Sequence, residues 1–338
     1  MNEAPRIRVC PEDFVVDELP LYPCSGEGEH TFVRVEKRLR TTEQVARMLA
    51  REAGVRPRDV GYAGRKDRNA VTRQWLSVPG LEPDQALRLE LPGVRVLEAS
   101  RHGNKLRTGH LAGNVFAIRV RGVSTALAEQ AERRGASLRA GGMPNRFGDQ
   151  RFGRDGDNVE SARAVLAGRA PRGARDRRSQ RFLLSALQSA VFNEVLAERP
   201  TGLDELEVGD VAMLHQSGGT FVVEDLEREA PRAAAFEISP TGPIFGTHML
   251  AAEGDPGARE RAALERWELG DGRIQLPRGL RLRGGRRALR VRPEGLSLIG
   301  EPDDAVRVEV TLPPGSYVTV LIEELFGACD PPPPAAVS

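Results

Sequence analysis

Apolar positions along the chain follow the period of a helix in some stretches and alternate as in a strand in others. After Thr41, the spacing of Val45, Met48 and Leu49 places apolar side chains on one helix face, and Thr41-x-x-Gln44 is a capping box. The same patterns predict strands at 59–63, 71–78, 114–121 and 305–312, and helices at 126–138, 182–197 and 317–325.

These elements mix helices and strands without a regular βαβ rhythm, and the sequence contains no internal repeat. Such an order is typical of an α+β fold. With 338 residues the chain is long enough for about two domains and a sizeable core.

Charge is balanced overall but segregated along the chain, with 49 basic and 48 acidic residues and a net charge of +1. Arg175, Arg177 and Arg178 belong to one basic cluster, and eight arginines without an acid lie between 273 and 292. Guanidinium groups pair bidentately with phosphates, so both clusters are candidates to bind an RNA backbone. The alternative is that they form solvated faces.

The sequence predicts neither a metal nor a nucleotide cofactor. Cys10, Cys24 and Cys329 have no metal-ligand spacing and are expected to be free thiols, and the five histidines are scattered. The glycines at 61 and 64 are too close for a phosphate-binding P-loop. No apolar run approaches the roughly 18 residues of a membrane span, and the first residues lack a secretory pattern, so a cytoplasmic location is expected.

The segment from Gly61 to Trp75 carries one carboxylate in a glycine-rich turn among cations. Lys66, Arg65 and Arg68 are expected to hold Asp67 charged and to pair with phosphates. Asp67 is therefore the candidate catalytic residue, although an Asp in this setting is also typical of a turn or cap.

Two long motifs connect this segment to a known family. Gly64-x-Lys66-Asp67-x-x-Ala70-x-Thr72-x-Gln74, and the block Asn145-Arg146-Phe147-Gly148-Asp149-Gln150-Arg151-Phe152-Gly153, resemble signatures of the TruD family of tRNA pseudouridine synthases. Shorter matches follow in the same order from Pro11 to Ser316, so the resemblance spans almost the whole chain.

The resemblance implies an isomerase that converts uridine at tRNA position 13, in the D-arm, to pseudouridine. It implies that Asp67 acts either as a nucleophile at C1′ or as a base at C2′, that no cofactor or metal takes part, and that tRNA is the partner of a monomer. Phe14, Asn114 and Tyr317 are expected to line the substrate pocket, together with Phe116 and Lys66. Many family members have Phe where this chain has Tyr317. The alternatives are an RNA-binding or RNA-folding protein of the same fold without catalysis, and a synthase with broader substrates, including messenger RNA.

The resemblance also implies the domain organisation. A catalytic domain with a mixed, mostly antiparallel sheet is expected at 1–142 and 293–330. A family-specific α+β insertion is expected at 143–292, and residues 331–338 are expected to form a disordered tail.

Overall fold

The computed structural model describes residues 4–153, 156–169, 171, 176–270, 272, 274, 276–277 and 279–329. The chain divides into two compact units. The first comprises Met1–Ala136, Pro293–Val318 and Ile322–Ser338, and the second comprises Ser137–Arg292 and Thr319–Leu321. That the second unit is a family-specific insertion stays a prediction, and the expected tail at 331–338 lies outside the described residues.

The strands of the described chain are β1 (Phe14–Pro20), β2 (His30–Arg38), β3 (Gly61–Tyr62), β4 (Val71–Pro79), β5 (Val94–His102), β6 (Leu111–Arg121), β7 (Met143–Pro144), β8 (Val211–Leu214), β9 (Thr220–Val222), β10 (Ile238–Ile244), β11 (Gly285–Ala288), β12 (Arg290–Val291), β13 (Glu294–Glu301) and β14 (Ala305–Leu312). The helices are α1 (Thr42–Glu52), α2 (Pro83–Leu87), α3 (Thr125–Gly141), α4 (Asp157–Leu166), α5 (Arg177–Ala197), α6 (Leu226–Ala234), α7 (Gly254–Arg266) and α8 (Val318–Phe326).

The first unit is built on an eight-stranded sheet with the order β13-β14-β6-β1-β4-β2-β5, in which β3 also pairs with β4. Strands β1 and β4 pair in parallel, and the other pairs of this sheet are antiparallel. The predicted α+β fold with a mixed, mostly antiparallel sheet is therefore confirmed.

Helix α1 forms as its pattern predicts. The Thr41 hydroxyl accepts from the Gln44 amide at 3.2 Å, and the Gln44 side chain accepts from the Thr41 amide at 2.8 Å. Val45 and Leu49 are fully buried against Val33, Val35 and Leu76 of the sheet. The capping box and the apolar stripe thus fix the helix that closes one face of the sheet.

Several predicted elements have different bounds, and for two of them a single residue explains the difference. The strand expected at 59–63 is only Gly61–Tyr62, because Pro57 begins a 3-10 turn that occupies Pro57–Asp59. Helix α5 begins at Arg177 rather than 182, because the Asp176 carboxylate accepts from the backbone amides of Arg178 and Ser179 and caps the helix there.

The second unit has a sheet of its own, with the order β11-β10-β8-β9, and a two-stranded pair of β12 and β7. Its core includes Leu184, Leu187 and Val191 of α5, packed with Leu264 of α7 and Phe245. In the described part of the chain, every helix is too short or too polar to cross a membrane.

Candidate active site

Asp67 lies in the loop between β3 and β4, with both its side chain and its backbone held by cations. The Arg8 guanidinium contacts its carboxylate at 2.7 Å, Nη2 to Oδ2. The Lys37 ammonium donates to its carbonyl oxygen at 2.6 Å. The Asp67 side chain is 42% exposed, so the carboxylate is fixed in position and still open to a ligand.

Lys37 occupies an inward position of β2, on the same face as Val33 and Val35, and is completely buried. Burial lowers the pKa of its ammonium to about 8, and the negative charge of Asp67 opposes that shift. A buried lysine of the sheet thus holds the Asp67 backbone in place through a hydrogen bond to its carbonyl oxygen.

Arg8 comes from the segment before β1 and has a left-handed backbone, with φ 58°. Its guanidinium lies over the Phe14 ring, 4.0 Å from the centroid. Burial lowers the pKa of Arg8 below its ordinary value, and the charge of Asp67 opposes this. Phe14 therefore supports the cation that holds Asp67.

Lys66 and Arg65, the cations expected to keep Asp67 charged, make their ion pairs with other carboxylates. The Lys66 ammonium contacts Glu18 at 2.5 Å, Nζ to Oε2, in a pair whose side chains are 7% and 1% exposed. Arg65 instead contacts Glu43 at 2.5 Å. Adjacency to Asp67 in the sequence thus did not bring these cations to its carboxylate.

A short hydrogen-bonded chain anchors the same loop to the sheet. The Lys66 amide donates to the Thr42 hydroxyl at 2.9 Å, and that hydroxyl donates to Gln74 Oε1 at 2.9 Å. Gly61 lets the loop start close to the sheet, because a Cβ there would collide with the Leu106 carbonyl oxygen. Its backbone lies outside the left-handed region, so close approach rather than turn geometry explains this glycine.

Three predicted pocket residues lie on one face of the sheet. In the β1–β6 register Val16 is opposite Phe116 and Glu18 is opposite Asn114, and Phe14 shares the face of Val16 and Glu18. Phe14 and Phe116 are both buried. The sheet therefore brings Phe14, Asn114 and Phe116 together beside the Glu18–Lys66 pair.

Several polar atoms around this face are buried without a partner among the described residues. They are Arg8 Nε, Thr72 Oγ1, Gln74 Nε2 and Asn114 Oδ1. Buried polar atoms are nearly always hydrogen-bonded, and an exception calls for a reason. A polar ligand at this face would supply the missing partners.

The remaining predicted site residues lie outside β1 and β6, although β14, which precedes Tyr317, pairs with β6 and has Leu312 opposite Asn114. Tyr317 is half-buried and directly precedes α8. Arg177 and Arg178 are exposed at the start of α5, in the second unit, and Arg175 lies outside the described residues.

The arginines between 273 and 292 divide into two kinds: Arg281, Arg283 and Arg292 are exposed, and three others are held by contacts within the second unit, while Arg273 and Arg278 lie outside the described residues. RNA binding by this cluster stays a prediction. Arg286 pairs with Glu260, Arg287 hydrogen-bonds Asn145, and Arg290 is fully buried with its guanidinium donating to the carbonyls of Gly141 and Ala233. Burial lowers the pKa of Arg290 to about 10. These three guanidiniums hold the second unit together and are not available to phosphate.

Sequence reasoning missed Glu18, Lys37 and Arg8. For the first two a signal existed, because Glu18 continues the inward alternation of Phe14 and Val16, and Lys37 continues that of Val33 and Val35. A charge at an inward strand position requires a buried partner. For Arg8 the sequence offers no such pattern.

The first unit thus combines a mixed sheet with a half-exposed loop carboxylate that two cations hold in place. A family model for tRNA pseudouridine synthase D (TruD) matches residues 4–175 and 172–325. The tRNA pseudouridine synthase D of Geobacter metallireducens is 40% identical, over 95% of this chain and 94% of its own length. That of Anaeromyxobacter dehalogenans strain 2CP-C is 47% identical, over 95% and 93%. The chain belongs to the tRNA pseudouridine synthase D family.

A solved structure agrees at the level of the fold. The crystal structure of a tRNA pseudouridine synthase D homologue from Methanosarcina mazei superposes with a TM-score of 0.76, at 20% identity, over 97% of this chain and 95% of that one. At this identity the likeness concerns the fold alone.

Proposed function

We propose that this protein isomerises uridine at position 13 of tRNA to pseudouridine, with Asp67 as the catalytic carboxylate. The observation that carries the proposal is the half-exposed Asp67, bound by Arg8 at 2.7 Å and by Lys37 through its carbonyl. The family's named activity and the buried unpartnered polar atoms beside it support the same site.

The reaction breaks the N1–C1′ bond of the nucleotide and joins the uracil to C1′ through C5, with a proton lost from C5 and one gained at N1. No external reagent is consumed. The Asp67 carboxylate serves by attacking C1′ or by removing a proton from C2′. Both routes need an ionised carboxylate at a fixed position, and Arg8 and Lys37 complement its charge and restrict its motion.

Asn114 is proposed to bind the uracil edge. Its Oδ1 is a buried acceptor without a partner in the described part of the chain, and uracil N3 carries a donor. Phe14 and Phe116 are buried in the sheet, so we assign them to shaping the pocket, with Phe14 acting through Arg8. Tyr317 is the half-buried ring assigned to stack on the base.

Binding of the tRNA backbone is assigned in part to Arg177 and Arg178. Both are exposed, and no ion pair among the described residues uses either guanidinium. Each phosphate that such a group neutralises releases counterions, so the contribution should weaken as salt rises.

The test is Asp67→Asn, with Asp59→Asn as the matched control, because Asp59, in the 3-10 turn before β3, is also paired with an arginine, at 2.9 Å from Arg56. Pseudouridine in a tRNA transcript is mapped by carbodiimide-dependent primer-extension stops, and tRNA binding is measured by filter retention. Asp67→Asn should lose at least about 10²-fold in turnover and keep tRNA binding, whereas Asp59→Asn should keep both.

Turnover of Asp67→Asn above about a hundredth of the wild-type value would remove Asp67 from the chemistry. A wild-type protein that binds the transcript without forming pseudouridine would contradict the catalytic function. Product at another uridine, with none at position 13, would contradict the assigned position.

A further inference from the structure

A cavity lies beside the strands that carry the active site, and its aromatic walls are on their opposite face. It has a volume of about 260 Å³, and Phe32 of β2 and Trp75 of β4 line it. Both residues alternate with the inward positions Lys37, Val35 and Gln74, so their side chains point away from the Asp67 face. Glu18 of β1 also lines the cavity, so the cavity adjoins the active-site face at this residue, while its aromatic walls lie on the other face.

Aromatic rings form the walls of this cavity. Tyr22 and Phe32 line it, and His102 stacks on Tyr22 with ring centroids 5.1 Å apart and contacts Phe32 at 4.5 Å. The Tyr22 hydroxyl is hydrogen-bonded to His110 Nδ1 at 3.0 Å. The rings thus hold each other in place, and together with Trp75 they offer flat surfaces of the kind on which nucleobases stack.

The polar groups at the edge of the cavity suit the edge of a base. Glu98 is half-exposed, its Oε1 accepts from Arg34 at 2.6 Å, and its other carboxylate oxygen has no partner in the described chain. Ser100 and His110 also line the cavity. A carboxylate oxygen accepts from the exocyclic amine of cytosine, adenine or guanine, and uracil has no such amine.

The surroundings fit a nucleotide rather than an isolated base. Arg34 also binds Asp17 at 2.9 Å, so this one guanidinium partly offsets the charge of Glu98 and of Asp17. Arg107 is exposed, its carbonyl accepts from the His110 amide at 3.0 Å, and within the described residues its guanidinium has no partner. Arg107 is three residues before His110, which lines the cavity, and an exposed guanidinium suits a phosphate.

The cavity is also connected to the active-site loop. The Trp75 amide donates to Glu18 Oε1 at 3.2 Å, and the other oxygen of Glu18 holds Lys66, next to Asp67. We propose that this cavity is a second nucleobase site, which takes an amino-bearing base of the bound tRNA, distinct from the target uridine. The proposal rests on the proposed function, since it takes tRNA as the partner.

The sequence has two tryptophans, Trp75 in the cavity and Trp267 in the second unit, so Trp267→Phe leaves Trp75 as the sole tryptophan reporter. In this background, tryptophan fluorescence is measured during titration with a tRNA transcript and, separately, with CMP, AMP, GMP and UMP. Stacking on Trp75 should quench its emission with the same midpoint as filter-measured tRNA binding. The amino-bearing mononucleotides should quench at lower concentration than UMP.

Two variants in the same background test the contacts. Tyr22→Leu should weaken tRNA binding by about 5- to 150-fold, the contribution of one stacked base. Glu98→Gln should reduce the preference for amino-bearing mononucleotides over UMP, whereas Glu90→Gln, an exposed control in the same unit, should leave it unchanged.

Unchanged Trp75 emission while tRNA binds by filter retention would overturn the proposal. So would quenching by mononucleotides alone, which would assign the cavity to free nucleotides. Pseudouridine formation is measured on the same samples: its absence, with Trp75 still quenched by tRNA, would contradict the proposed catalysis and leave the second base site supported.

Discussion

Replacing Lys66 by methionine tests whether this lysine positions the active-site loop or contacts substrate. Its ammonium and the Glu18 carboxylate are 2.5 Å apart, and both side chains are almost completely buried. At an effective dielectric constant of about 20, two charges about 4 Å apart attract by about 4 kcal/mol, and removing each ion from water costs several kcal/mol. In the intact pair, the attraction between the charges roughly offsets the cost of removing them from water. A single remaining charge has that cost and no attraction to offset it.

We expect Lys66→Met and Glu18→Gln each to lower the free energy of unfolding by about 3–5 kcal/mol, because each leaves one buried charge unpaired. The double variant should lose clearly less than the sum, since neither charge remains. Lys105→Met is the matched control. Lys105 donates one hydrogen bond to the Arg58 carbonyl, and its loss should lower the free energy of unfolding by only about 1 kcal/mol.

Urea unfolding and pseudouridine formation are measured on the wild type and on these four variants. If Lys66 positions the loop, the double variant recovers activity together with stability. A double variant that regains stability and stays inactive would instead support the predicted substrate contact. Losses below about 1 kcal/mol in both single variants would refute the energetic reasoning about the buried pair.

Three further outcomes are expected. Lys37 has a pKa of about 8 in the folded protein and 10.5 in the unfolded chain. Between pH 8 and 10.5 the unfolded chain therefore binds a proton that the folded protein has lost. As pH rises from 8 to 10.5, the free energy of unfolding of the wild type should therefore increase by up to about 3 kcal/mol relative to that of Lys37→Met. Free energies from urea unfolding that change with pH in the same way for both proteins would contradict this. Tyr317→Phe should keep kcat/KM, whereas Tyr317→Ala should lose about 1–3 kcal/mol of transition-state binding; equal losses would make the hydroxyl essential. Changing Arg177 and Arg178 to glutamine should weaken tRNA binding and lower the slope of log affinity against log salt by about 2, and an unchanged slope would exclude phosphate contacts there.

The sequence alone was sufficient for the local elements and for the family. The strand at 305–312 and helix α1 form where their patterns predict, because alternation and capping are properties of residues close in the chain. The motif around Asp67 likewise pointed to the family that the relatives confirm. Errors at element ends came from single residues, such as Pro57 and Asp176, whose effects outweighed the apolar pattern.

Only the tertiary structure decided which charges meet. Arg8 is 59 positions from Asp67, and Glu18 is 48 positions from Lys66, so no local spacing could pair them. The sequence suggested that the cations beside Asp67 hold it, but β1, β2 and β4 bring Arg8 and Lys37 to it and turn Lys66 toward Glu18. The physical reason is that a buried charge must find a partner, and which partner is within reach depends on strand register and on the face each side chain takes.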